Sequence, residues 1–134
     1  MNSLELTKEQ HQKMIEHVES NLPFEACGLL AGRNAKVESV HKVTNKAQSP
    51  LRYMMDPIEQ LSAFEWIESN GQDLIGIFHS HPTGPEIISP SDIAEAAYAV
   101  VYIVLARVDN APAWRTRGFW IEHGTYTEVA LEII

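Results

Sequence analysis

The sequence predicts an α/β domain of the α+β kind, in which a mixed β-sheet is flanked by two or three helices. Three segments open with helix-start grammar, at Thr7, Asp56 and Ser89. Between and after them lie short runs rich in Val, Ile, Leu and aromatic residues that read as strands. Strands interleaved with helices argue against an all-β barrel. No repeat, low-complexity tract or Pro/Gly/Ser linker divides the 134 residues, so residues 1–134 are expected to form one domain around one core.

Taken in order, Thr7 with Gln10 three residues on is a capping-box pattern, and His11, Met14, Ile15, Val18 and Leu22 share one helical face. Residues 7–21 therefore read as a helix that Pro23 stops. Residues 26–32 and 36–43 follow as a hairpin turning through Gly32-Arg33-Asn34, and Arg52 to Met55 is a candidate short strand. Asp56-Pro57-Ile58-Glu59 supplies a cap, a proline at the first helical position and an acid at the third. The helix it opens presents Ile58, Leu61, Phe64 and Ile67 as its apolar face and ends at Gly71. Leu74–Phe78 is a continuous apolar run, the pattern of a central strand covered on both faces. Ser89-Pro90-Ser91-Asp92 repeats the helix-start grammar and predicts a helix over residues 90–98. Val100–Ala106, Arg115–Ile121 and Tyr126–Ile133 are the remaining strands, the last two joined by a His123-Gly124 turn.

Apolar residues make up 45% and charged residues 21%, the balance of an ordinary folded domain. Lys and Arg total 10 against 18 Asp and Glu, a formal charge of −8 that repels phosphate backbones and argues against a nucleic-acid partner. The longest apolar run, Ala96 to Ala106, is too short to span a bilayer and reads as a buried strand. No signal-peptide pattern opens the chain, and the single cysteine, Cys27, has no internal disulfide partner; cytoplasm is the expected compartment.

The chemistry concentrates in His79-Ser80-His81-Pro82, with Ser89 and Asp92 at fixed offsets. Side chains two apart on a strand share a face, so His79 and His81 project together. Pro82 cannot donate to a ladder and should end the strand there, leaving both imidazoles at an open sheet end. Alone, the pair also reads as two hydrogen-bonded, half-buried histidines. Asp92 reads alone as the acid of a capping box with Ser89. Eleven residues after His81, it reads instead as a third ligand. Two imidazoles and a carboxylate leave one tetrahedral position for water, the pattern of catalytic zinc. Glu25 is a candidate general base, or alone an ordinary surface glutamate. Ser89 is a helix cap, an oxyanion donor, or both. Cys27 reads as a small buried hydrophobe rather than a nucleophile. His11, His17, His41 and His123 lack ligand spacing, and Trp66, Trp114 and Trp120 read as core or cleft-wall residues.

Pro23-Phe24-Glu25-Ala26-Cys27-Gly28-Leu29-Leu30-Ala31-Gly32 together with His79-Ser80-His81-Pro82, six further residues, and Ser89-x-x-Asp92 closely resembles the JAB1/MPN/Mov34 metalloprotease family and its JAMM motif, in the short prokaryotic form. The match runs from Leu22 to Ala97, with no departure at a motif position. The resemblance implies a curved mixed sheet flanked by helices. It also implies one Zn2+ held by His79, His81, Asp92 and a water, with Glu25 as acid/base and Ser89 as oxyanion stabiliser. Family members cleave peptide or isopeptide bonds after the C-terminus of ubiquitin-like proteins, and short members act on sulfur carriers of the ThiS/MoaD type. The implied partner is such a protein, with no nucleic acid and no membrane.

Rival readings fare less well. His79-x-His81-x4-Glu86 imitates a cupin metal motif but lacks its glycines. Amidohydrolase barrels need roughly 250 residues. Zinc deaminases need a Cys-x-x-Cys pair that one cysteine excludes. A non-catalytic MPN-type scaffold that binds a ubiquitin-like partner is the alternative from another class.

Overall fold

A computed structural model describes residues 2–107 and 113–134 of the chain. Among them, strands and helices follow in the order β1 (Ser3–Leu6), α1 (Lys8–Ser20), β2 (Cys27–Arg33), β3 (Lys36–Val43), α2 (Pro57–Ser69), β4 (Asp73–His81), α3 (Pro90–Glu95), β5 (Val101–Ala106), β6 (Arg115–Glu122) and β7 (Thr125–Ile133). The expected mixed sheet is present, with three helices among the described residues where two or three were expected. It also closes on itself, in the order β1-β3-β2-β4-β5-β6-β7.

Closure depends on β1, a strand the sequence reading did not include. Ser3–Leu6 pairs in parallel with β7 over Ser3↔Ala130 to Leu6↔Ile133, and touches β3 only at Glu5↔Lys36. Its alternation buries Leu4 and Leu6, a two-residue period too short to stand out beside the helix that follows.

α1 begins where expected: the Gln10 amide donates to Thr7 Oγ1 at 3.1 Å and the Thr7 amide to Gln10 Oε1 at 2.8 Å. Met14 and Val18 seal its core face. The hairpin turn lies one residue later than read, at Asn34 and Ala35, which adopt φ of 54° and 61°. The segment Arg52 to Met55 forms a single bridge, Asn45↔Met55, rather than a strand.

α2 has the expected cap but not the expected face. Ala63 and Ile67 are its buried residues, while Ile58 and Leu61 are 76% and 58% exposed. The packed stripe runs through Ala63, Phe64 and Ile67, so the helix is rotated away from its largest N-terminal side chains. α3 ends at Glu95, and the apolar run from Ala96 is extended only from Val101. In between, the Ala97 and Tyr98 amides donate to the Tyr102 hydroxyl, which satisfies the turn that feeds the parallel strand β5.

β4 is the central strand, antiparallel to β2 and parallel to β5, and every residue from Ile75 to His81 is buried. Gly28 lies opposite Phe78, where a Cβ would overlap the Phe78 ring and the His41 carbonyl. That close approach sets β2 tightly against β4.

Candidate metal centre

β4 ends at His81, immediately before Pro82, and its last turn of pleat puts His79 and His81 on one face. Their Nε2 atoms are 3.1 Å apart. Asp92, on the first turn of α3, brings Oδ2 to 3.1 Å from His79 Nε2 and 3.2 Å from His81 Nε2. Three ligand atoms thus form a nearly equilateral triangle. A tetrahedron with bonds of about 2.0 Å has edges of about 3.3 Å, so the triangle fits one face of a zinc coordination sphere.

The donor set points the same way. His81 Nδ1–H donates to the Pro85 carbonyl at 2.8 Å, which directs the Nε2 lone pair at the triangle. One proton among the three ligand atoms leaves two lone pairs opposed. Two protons shared with Asp92 leave two N–H groups opposed. A single cation suits all three contacts.

The imidazoles are not at an open end. His79 is fully buried and His81 is 5% exposed. Tyr53 stacks on the His79 ring with centroids 4.8 Å apart and planes at 30°, and the segment carrying Pro85 folds back over His81. His79 Nδ1 is buried with no hydrogen-bond partner. Burial lowers the His79 pKa; burial also works to lower His81, but the Asp92 carboxylate and the Pro85 carbonyl raise it above its ordinary value. Burial works to raise Asp92, yet the hydrogen bonds from both histidines hold it well below the usual carboxylate range.

The capping contacts of Asp92 are present, and the same carboxylate faces both histidines. The Asp92 amide donates to Ser89 Oγ at 3.0 Å, and the Ser89 amide donates to Asp92 Oδ2 at 3.0 Å. The cap therefore fixes the carboxylate in place. Ser89 Oγ acts here as acceptor and keeps its own proton, with Ser91 Oγ 3.1 Å away.

Glu25 is no surface residue: it is 4% exposed, and its Oε1 has no hydrogen-bond partner. Its pKa is pushed up to about 8, first by burial, against the pull of His81 and with the help of Asp92 and Glu95. The backbone around it is stitched in place. Its amide donates to the Ser49 carbonyl at 2.8 Å, and its carbonyl accepts from Asn45 Nδ2 at 2.9 Å. Next door, the Ala26 amide donates to Ser80 Oγ at 2.8 Å, and the Ser80 amide donates to the Ala26 carbonyl at 3.0 Å. Glu25 is thereby held beside the His-Ser-His end of β4.

The other candidates fall away from this centre. Burial pushes the Cys27 thiol up to about 12, which removes a thiolate at neutral pH. Glu86 pairs with Arg115 and not with the histidines, so the cupin-like triad is absent. His17 donates to the Cys27 carbonyl, and His11 bonds Thr116. Trp66 is 45% exposed and stands in an open groove beside His41, a wall rather than core.

Sequence reasoning missed Tyr53, Pro85, Asn45 and Ser80. Pro85 acts through a carbonyl, which leaves no signature in residue type. Tyr53 lies in a stretch read only as a possible strand. It also lines a cavity of about 200 Å³ with Met54, Met55, Ile77, Tyr98 and Tyr102.

The family model for prokaryotic homologs of the JAB domain matches residues 7–120. A probable TtuB-protein conjugate cleaving protease of Thermus thermophilus is 43% identical over 119 residues, covering 88% of this chain and 74% of that protein. A desampylase of Pyrococcus furiosus is 32% identical over 107 residues, covering 79% and 76%. A solution structure of a Desulfitobacterium hafniense protein superposes with a TM-score of 0.86 at 34% identity, over 98% of this chain and 92% of that one. A JAB1/MPN domain protein from Archaeoglobus fulgidus shares the fold at a TM-score of 0.64 and 16% identity, over 100% and 99% of the two chains.

Proposed function

This chain belongs to the family of prokaryotic homologs of the JAB domain, and on that premise we propose that it is a zinc-dependent peptidase or isopeptidase, built as one domain over residues 1–134. Its substrate is the C-terminal tail of a ubiquitin-like or sulfur-carrier protein of the ThiS/MoaD type, joined to an amine by a peptide or isopeptide bond. The names of the Thermus and Pyrococcus relatives support a conjugate of this kind. The buried lone thiol suits the reducing cytoplasm.

The observation that carries the reading is the triangle of His79 Nε2, His81 Nε2 and Asp92 Oδ2, with edges of 3.1–3.2 Å, beside the buried carboxyl of Glu25. These three residues would hold one Zn2+. The ion, when bound, supplies Lewis acidity to the scissile carbonyl and brings the pKa of water to about 7.

Glu25 takes the proton of the attacking water and returns it to the departing amine. Burial raises its pKa and His81 works to lower it, leaving it at about 8, where the carboxyl can both take and release a proton near neutral pH. Ser89 donates its remaining proton to the carbonyl oxygen as that oxygen gains charge, while Oγ goes on accepting from the Asp92 amide. His81 is oriented by Pro85.

The test is cleavage of a sulfur-carrier protein whose terminal Gly-Gly is linked through an isopeptide bond to a lysine peptide. Release of the peptide by the purified protein, lost with a chelator and restored by Zn2+, is the expected result. Zinc and carrier binding without release would overturn the enzymatic reading in favour of the scaffold.

A further inference from the structure

The two histidines of the triangle are supported unequally. His81 has the partner a metal-bound imidazole ordinarily has, an acceptor for its far N–H, in the Pro85 carbonyl at 2.8 Å. His79 has none: its Nδ1 is buried and makes no hydrogen bond. If Nε2 faces the triangle, Nδ1–H lacks an acceptor to set the ring's rotation. The aromatic rings packed against it are Tyr53, stacked 4.8 Å away at 30°, and His81, edge-on at 4.8 Å and 71°.

We infer that Tyr53 is the positioning residue for His79, fixing by stacking the ring orientation that a hydrogen bond fixes for His81. The inference rests on the metal-site reading given above.

Geometry and chemistry agree on it. An imidazole pinned at Cβ keeps one soft torsion about Cβ–Cγ, and rotation there swings Nε2 out of the triangle. A near-parallel aromatic ring opposes that rotation. The ring is itself fixed, because Tyr53 follows Arg52, whose carbonyl accepts from Asn45 Nδ2 at 3.1 Å, and precedes Met54, whose amide donates to Asn45 Oδ1 at 2.9 Å. Asn45 also holds the Glu25 carbonyl. One buried amide thus ties the base and the ring that orients a ligand to the same frame. Tyr53 has a second face of use: it lines the cavity shared with Met54, Met55, Ile77, Tyr98 and Tyr102. Removing the ring joins that cavity to His79, now fully buried, and admits water to the ligand.

The experiment compares wild type, Tyr53→Phe and Tyr53→Leu by Zn2+ affinity in a competition titration and by the visible spectrum of the Co2+-loaded protein. Melting of the metal-free forms serves as the control for folding. The stacking account expects Tyr53→Phe to match wild type in both readouts. Tyr53→Leu, which fills space without a planar ring, should bind Zn2+ about 10- to 100-fold more weakly and show an altered Co2+ spectrum. A Tyr53→Leu protein with wild-type affinity and spectrum overturns the inference alone. A Tyr53→Phe protein as weak as Tyr53→Leu assigns the effect to the hydroxyl and overturns it as well. A wild-type protein that binds neither metal overturns the metal-site reading and this inference with it.

Discussion

A carboxyl buried without a hydrogen bond costs stability, and Glu25 is one. In the metal-free protein its folded pKa, about 8, lies above its ordinary value of 4.5. The folded state therefore holds the proton more tightly than the unfolded one. Stability from this group is complete below pH 4.5 and is lost as the pH rises through about 8. Glu25→Gln removes the ionisation, so metal-free Glu25→Gln should gain on wild type, by on the order of a few kcal/mol, between pH 5 and pH 8 in denaturant titrations. The same variant should retain Zn2+ while kcat falls by about 10²–10⁴-fold, the worth of a proton-transfer group. Undiminished cleavage by Glu25→Gln would remove Glu25 from the mechanism. His79→Ala, by contrast, should lose both zinc and turnover, read by metal content after gel filtration.

At the scale of elements, α3 is the weak piece. Six residues with no buried side chain do not hold a helix by themselves. The Ser89–Asp92 box holds its first turn and at the same time aims Oδ2 at the histidines. Ser89→Ala should lower stability by about 1 kcal/mol through the lost cap, and kcat by about 100-fold through the lost oxyanion donor. Unfolding curves and rates that both match wild type would leave Ser89 neither role. This box was legible in the sequence because it is local: Ser, Pro and Asp at fixed offsets announce a helix start wherever they stand. The same holds for Thr7 and Asp56, and for the His-Ser-His-Pro strand end. What was hidden depends on partners far along the chain. α2 turned Ile58 and Leu61 outward because β3 and β4 receive the narrower Ala63–Ile67 stripe. The burial of His79 required a tyrosine 26 positions earlier, placed by Asn45, and no spacing rule links the two. Glu25 looked like a surface acid because the pairing of Ala26 with Ser80 that buries it is a contact across 54 residues.

At the scale of the whole molecule, the barrel is closed by the shortest strand and the site by the shortest helix among the described residues. β1 joins β7 along its length but β3 at one pair, so Leu4 and Leu6, both in the core, carry most of the hold. Leu4→Ala should cost about 2–5 kcal/mol, seen as a lower denaturant midpoint, without altering zinc affinity in the folded protein, since β1 contributes no ligand. The three candidate ligands join two parts of unequal strength: His79 and His81 belong to the buried central strand, and Asp92 to a six-residue helix with no fully buried residue, packed on the core through Ile93. An ion shared between them is therefore a clamp from the barrel onto α3, and its free energy should appear mostly where the fold is weakest. Zinc at 100 times its Kd should stabilise the fold by roughly 2.7 kcal/mol. Amide exchange should slow most at residues 90–96, while β4 and β5, already near the limit set by global unfolding, change only by that global amount. Equal protection across the chain, with none specific to α3, would show that Asp92 is in place before the ion arrives and that the capping box alone fixes it.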